Sequence, residues 1–279
     1  MKLNIEVNKK RDADFFNYFF FNRIYHKMLM VKFYPKLKNV TNEEELANFL
    51  DRQYNFVKEK LNEAVEIIKE QTKPMEQIAP ILEGLLDEKF DEEYSIYPTL
   101  LPFSPYRKQS FFVSVAGFVH MNRKIKSLYT STHELIHLLF FKKLSNMLNI
   151  PYTTSKEIFS EKFNIKPQAF HLLKEVYAPI IMNDSELKKF FPNYVIGNTE
   201  LQVIRIQEND TIQTVEGFFS KKYKELKSQN LNPEQILNSM IEITKKISEG
   251  LETQHNLMSN IPPQEYEIKG LYNPIIYKE

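Results

Sequence analysis

The segment from Lys126 to Leu148 constrains this chain more than any other. Leu135, Ile136, Leu138, Leu139, Phe140 and Phe141 make it apolar on most sides, and it reads as a long helix. Yet His133, Glu134 and His137 sit in the same stretch. A helix that is apolar all round is buried, and polar groups buried with it need partners. Imidazoles four residues apart stand on one helix face, where they can converge on a single point. Neutral imidazole nitrogen is a good zinc ligand. Glu134 projects about 100° round the helix from His133 and borders the same side without taking a ligand position. A carboxylate so placed can take a proton from a water that a metal ion has made acidic. That division of labour is the physical content of a His-Glu-x-x-His segment.

A catalytic zinc needs a third protein ligand and an open position. The 279 residues include no cysteine, so thiolate ligands, disulfides and cysteine nucleophiles are excluded. The metzincin pattern would need Gly at position 140 and His at 143, where this chain has Phe140 and Lys143. The remaining common solution is a glutamate from a later helix, and the candidates are Glu157, Glu161, Glu175 and Glu186. Glu157 and Glu161 share their helix with Ser155, Lys156, Ser160 and Lys162 and can face water. Glu175 lies in a run from Ala169 to Ala178 that is apolar except for His171, Lys174 and Glu175 itself. It is the hardest of the four to leave unpaired, and a cation would resolve its burial. The alternative is a surface contact of Glu175 with Lys174 or His171.

His171 precedes Glu175 by one turn on the same face. It is a candidate to orient Glu175 or to stabilise a substrate oxyanion, or else an ordinary helix histidine. Tyr177 is a second oxyanion candidate. His26, in an aromatic first helix, and His120, at the end of a strand, read as structural.

The surrounding chain reads as mostly helical. Asp12 to Met30, rich in Phe and Tyr, reads as a buried first helix. Thr41 and Glu44 form a capping box that opens a helix through Ile68. A further helix follows Pro74. Tyr94 to Gln109 is broken by turns, and Ser110 to His120 reads as a strand of a small antiparallel sheet. Exposed at an edge, that strand could add an extended peptide; otherwise it packs the core. Helices follow at Ser155 to Phe163 and Pro167 to Met182, then a short strand at Leu201 to Ile206. Another helix is expected at Thr211 to Lys227, and a last one runs from Asn232 to a C-cap at Gly250. The tail, with Pro262, Pro263 and Pro274, reads as extended. With 6 glycines, an all-β chain or a glycine-rich phosphate loop is disfavoured.

The expected class is α+β, mostly α. Residues 1–150 would hold the N-terminal helices, the sheet and the His-Glu-x-x-His helix. Residues 151–279 would form a helical C-terminal lobe carrying the third ligand, the two making one catalytic unit. A net charge of +1 argues against a nucleic-acid partner. The first residues lack the apolar core of a signal peptide, and no apolar stretch approaches a membrane span. A cytoplasmic protein with a peptide or protein substrate, and no membrane partner, is the expectation.

From Ser110 to Met182 the chain resembles the gluzincin branch of the zincin metallopeptidases. The resemblance rests on His133-Glu134-Leu135-Ile136-His137 and a glutamate some forty residues on. It implies a zincin-like fold with the small sheet packed on the active-site helix. It also implies one zinc ion on His133, His137 and Glu175, with Glu134 as general base and proton shuttle. The aminopeptidase motif Gly-x-Met-Glu-Asn is absent. So is the thermolysin-type Asn-Glu-x-x-Ser-Asp: Lys174 precedes Glu175, and Ala178-Pro179 occupy the Ser-Asp positions. Three functions follow: a zinc metallopeptidase, a zincin-like protein that binds metal or a partner without catalysis, and a helical interaction protein whose motif is accidental.

Overall fold

The computed structural model describes residues 1–260 and 270–278. In chain order the elements begin with β1 (Lys2–Ile5), α1 (Lys9–Asn22), α2 (Ile24–Phe33), α3 (Glu43–Phe56), α4 (Lys58–Thr72) and α5 (Met75–Leu86). Next come β2 (Glu93–Thr99), β3 (Tyr106–Arg107), β4 (Ser110–Ser114), α6 (Ala116–Met121) and α7 (Ser127–Met147). The rest are α8 (Lys156–Phe163), α9 (Pro167–Met182), α10 (Thr199–Val203), β5 (Arg205–Glu208), β6 (Thr211–Thr214), α11 (Val215–Ser228), α12 (Pro233–Lys246), α13 (Ser248–Asn260) and β7 (Ile275–Tyr277). The fold is α+β and mostly helical. Among the described residues no helix is long and apolar enough to cross a membrane. Two units divide the chain, one of residues 1–77 and 91–134, the other of residues 78–90 and 135–279.

The first unit holds a four-stranded sheet in the order β1-β2-β4-β3. It is mixed, not antiparallel as expected: β1 and β4 both run parallel to β2, and only β3 pairs antiparallel to β4. Strand β4 is therefore an inner strand rather than an exposed edge. The strand also ends earlier than its apolar sequence implied. Its partner β2 stops at Thr99, whose carbonyl accepts from Val115 N–H, and the chain turns there into α6. Near-continuous burial along β2 and β4 is what parallel pairing produces, and it hides the period-2 signal.

The aromatic first region is two helices, broken at Arg23, whose φ of −135° and ψ of 93° are extended. It is also less buried than its composition implied: Phe16 and Phe20 are buried, whereas Phe21, Ile24 and Met28 are exposed. One residue shifts the next cap. Asn42 accepts from Glu45 N–H, and Glu45 reaches back to Thr41 N–H at 2.7 Å. Val57, with φ −103° and ψ 12°, divides the long helix into α3 and α4. Behind them Asp12 of α1 is fully buried, accepting hydrogen bonds from Thr99, from Tyr54 at 2.5 Å and from Leu100 N–H at 3.2 Å. Burial outweighs those bonds and pushes its carboxyl up to about 6.

The second unit is built round α9, which contacts α8, α10, α11, α12 and α13. An aromatic core joins the C-terminal part of α7 to α8 and α9. The Phe141 ring centroid lies 5.5 Å from that of Phe159, Phe159 is stacked on Phe170 at 5.8 Å, and Phe140 lies 5.2 Å from Tyr177. Losing one such ring to alanine costs roughly 3–5 kcal/mol. A second sheet, in the order β6-β5-β7, was not anticipated. Thr211–Thr214 pairs with β5 as β6, so the expected helix begins only at Val215. Similarly, residues 199–203 form α10 and the strand starts at Arg205. Gly250 is not a cap: it lies inside α13, where a Cβ would stand 2.6 Å from Ile275 Cγ2 of β7. Glycine there lets the strand approach the helix. Pro262 and Pro263 lie outside the described residues.

Candidate metal centre

Helix α7 carries His133, Glu134 and His137, all buried. Position 143 holds a buried lysine, 2.9 Å from both Asp87 and Glu234, which fixes the end of the helix. Position 140 holds a core phenylalanine. Of the four glutamates considered as third ligand, Glu157, Glu161 and Glu186 are exposed and Glu175 is 7% exposed. Glu175 Oε2 stands 3.6 Å from His137 Nε2. His133 lies one turn earlier on the same helix as His137.

The local sequence explains why Glu175 can be held there. Pro167 starts α9, and Pro179 removes the backbone donor that would bond the Glu175 carbonyl. Lys174, buried beside it, forms an ion pair with Glu175 Oε1. Asn198 donates to Oε2 at 2.9 Å. Asn198 is the N-cap of α10, yet its side chain makes no capping bond; its amide goes to Glu175 instead. Gly197 leads into it. A Cβ there would meet Leu201 Cδ1 at 2.6 Å and Glu216 Oε2 at 2.8 Å, so a larger residue would require those side chains to shift.

His171 places Nδ1 3.8 Å from Glu175 Oε1 and Nε2 3.0 Å from Glu200 Oε1. Glu200 also faces His255, at 3.3 Å. Burial raises the Glu200 carboxyl, but the hydrogen bonds from His171 and His255 outweigh it and hold it at about 2. Tyr177 is enclosed in the aromatic core, and burial raises its hydroxyl above the usual range. His26 packs between Phe19 and Phe103, where burial and then Arg23 lower its imidazole to about 4. His120 lies on α6 rather than a strand, against Phe33 and Tyr34.

Sequence reasoning missed four neighbours of this centre: Asn198, Glu200, His255 and Tyr129. The Tyr129 ring is stacked on His133 at 6.1 Å. Its position one turn before the first histidine was the available signal. The other three come from α10 and α13, which reach α9 only through tertiary packing.

The donor set fits zinc. Two ligands each ~2.1 Å from a tetrahedral ion stand roughly 3.4 Å apart, close to the 3.6 Å between His137 and Glu175. Imidazole and carboxylate are donor types that suit zinc, and the chain offers no thiolate. No protein-family model, curated protein or solved structure matches the chain.

Proposed function

We propose that this chain is a zinc-dependent hydrolase resembling the gluzincin peptidases, with a zincin-like arrangement in which His133, His137 and Glu175 hold the ion. The observation that supports it most is the burial of Glu175 within 3.6 Å of His137, on a different helix. A zinc ion held there would polarise a substrate carbonyl and acidify the attacking water. Glu134 is buried one residue after His133 and serves as the base. The proton its carboxylate takes would pass to the amine released from a cleaved peptide bond. Tyr129 steadies the His133 ring, and Asn198 holds the Glu175 carboxylate. A peptide or protein is the proposed substrate.

One observation favours a second reading, a zincin-like protein that binds without catalysis. Lys174 already neutralises Glu175. Against it, a non-catalytic site gives no reason for a glutamate at position 134. Metal analysis of the purified chain, paired with peptide hydrolysis by the wild type and by Glu134→Gln, decides between them. Stoichiometric zinc with turnover lost in the variant supports the hydrolase. Absence of zinc, or full turnover in the variant, overturns it.

A further inference from the structure

We propose that His171, Glu200 and His255 form a second site for a divalent transition-metal ion, separate from the His133–His137–Glu175 cluster. The three residues come from α9, α10 and α13, all within one unit of the chain. Their ligand atoms lie within 4.8 Å of one another. His171 Nε2 faces one oxygen of Glu200 at 3.0 Å, and His255 Nε2 faces the other at 3.3 Å. Ligands of one zinc-sized ion stand roughly 3.4 Å apart, so these separations match a shared cation. The two rings meet edge to face, at 80° with centroids 5.5 Å apart, and aim their nitrogens at the same carboxylate rather than stacking.

The helices that carry these residues are fixed to one another. Lys166 N–H donates to Ser248 Oγ and Gln168 N–H to Glu252, each at 2.7 Å, tying the start of α9 to α13. The residues are only partly exposed, His171 at 27% and His255 at 13%. That degree of exposure lets an ion enter and keep solvent in its remaining positions. The second nitrogen of His171 faces Glu175 at 3.8 Å. Two imidazoles disfavour calcium and magnesium, which take oxygen ligands, and select ions of the zinc, cobalt, nickel and copper(II) class.

A cluster joined by hydrogen bonds alone would satisfy Glu200 equally well and bind no ion, so counting ions separates the two. The probes are Co2+ and Zn2+ added to the chelator-treated full chain, with bound metal measured after desalting. In the His133→Ala/His137→Ala variant the proposed site should still bind one ion, and adding Glu200→Gln and His255→Gln should abolish it. Glu200→Gln/His255→Gln alone should lose one ion relative to the wild type. No ion bound by the first variant, or an unchanged count in the last, overturns the proposal. If a variant fails to fold, imidazole 15N spectra of the unmodified chain serve instead. Zn2+ should shift the His171 and His255 ring nitrogens, and unmoved signals at saturation refute the site. This outcome is independent of the first cluster: a chain binding one ion only through Glu200 and His255 would uphold this site while overturning the hydrolase reading.

Discussion

Glu175 Oε2 lies 3.6 Å from His137 Nε2 and accepts a hydrogen bond from Asn198 at 2.9 Å. The same oxygen thus faces the histidine and is held by a residue from another helix. Asn198→Ala removes that hold and leaves the three proposed ligands in place. Loss of a partner behind a ligand costs roughly 10–100-fold in metal affinity. Zinc affinity measured by competition with a chelating dye should fall by that factor while circular dichroism stays unchanged. Unaltered affinity would remove Asn198 from the centre.

Glu134→Gln tests the base separately from the ligands. Glutamine has nearly the same shape and keeps a polar side chain, so the ion should remain bound at wild-type stoichiometry. A missing general base costs roughly 10²–10⁴-fold in rate. Turnover of a peptide substrate should drop by that factor with zinc content constant. A variant that loses its zinc instead would place Glu134 among the ligands.

Much of this site was legible from residue order, because its strongest signals are local. Helices α7, α8 and α9 follow from the apolar stretches read at Lys126 to Leu148, Ser155 to Phe163 and Pro167 to Met182. Glu175 stood out as a charge inside an apolar run. What failed depends on partners far along the chain. Strand β1 exists because Lys2 pairs with Glu93, and β7 because Ile275 pairs with Ile206, neither of which local pattern can express. The break between α12 and α13 falls at Ile247, an ordinary helix residue that gives no stop signal. Glu200 and His255 sit in polar stretches whose meeting with His171 arises only when α10 and α13 pack on α9.

The buried Asp12 gives the first unit a pH dependence. Its folded carboxyl titrates near 6 against an ordinary value of 3.8, so folding favours the protonated form. Its contribution to stability is therefore fully present below about pH 4 and is lost as pH rises through 6. Over that window the change amounts to about 3 kcal/mol from this group alone. Asp12→Asn should flatten the dependence. The asparagine oxygen can still accept from Tyr54 and Leu100 N–H, and its amide can donate to the Thr99 hydroxyl. Urea melts of both chains between pH 4 and 7.5 measure the difference. Equal slopes in the two would show that Asp12 ionises freely in the fold.

Lys174 offers the most direct test of what Glu175 is for. Its ammonium is buried against the Glu175 carboxylate, so in the absence of metal it supplies the charge balance. Replacing one partner of a buried ion pair leaves the other charge uncompensated and costs roughly 3–5 kcal/mol. Lys174→Met keeps the length of the side chain and removes only the charge. The metal-free variant should therefore melt well below the wild type. If Glu175 is a metal ligand, zinc takes over the compensation, and the rise in melting temperature on adding zinc should be larger in the variant than in the wild type. If Glu175 serves only as the partner of Lys174, zinc should fail to rescue the variant, and both chains would show the same small shift. Thermal melts of the two proteins with and without added Zn2+ separate these outcomes by the sign of one difference, and Glu175→Gln in the Lys174→Met background should abolish whatever rescue is seen.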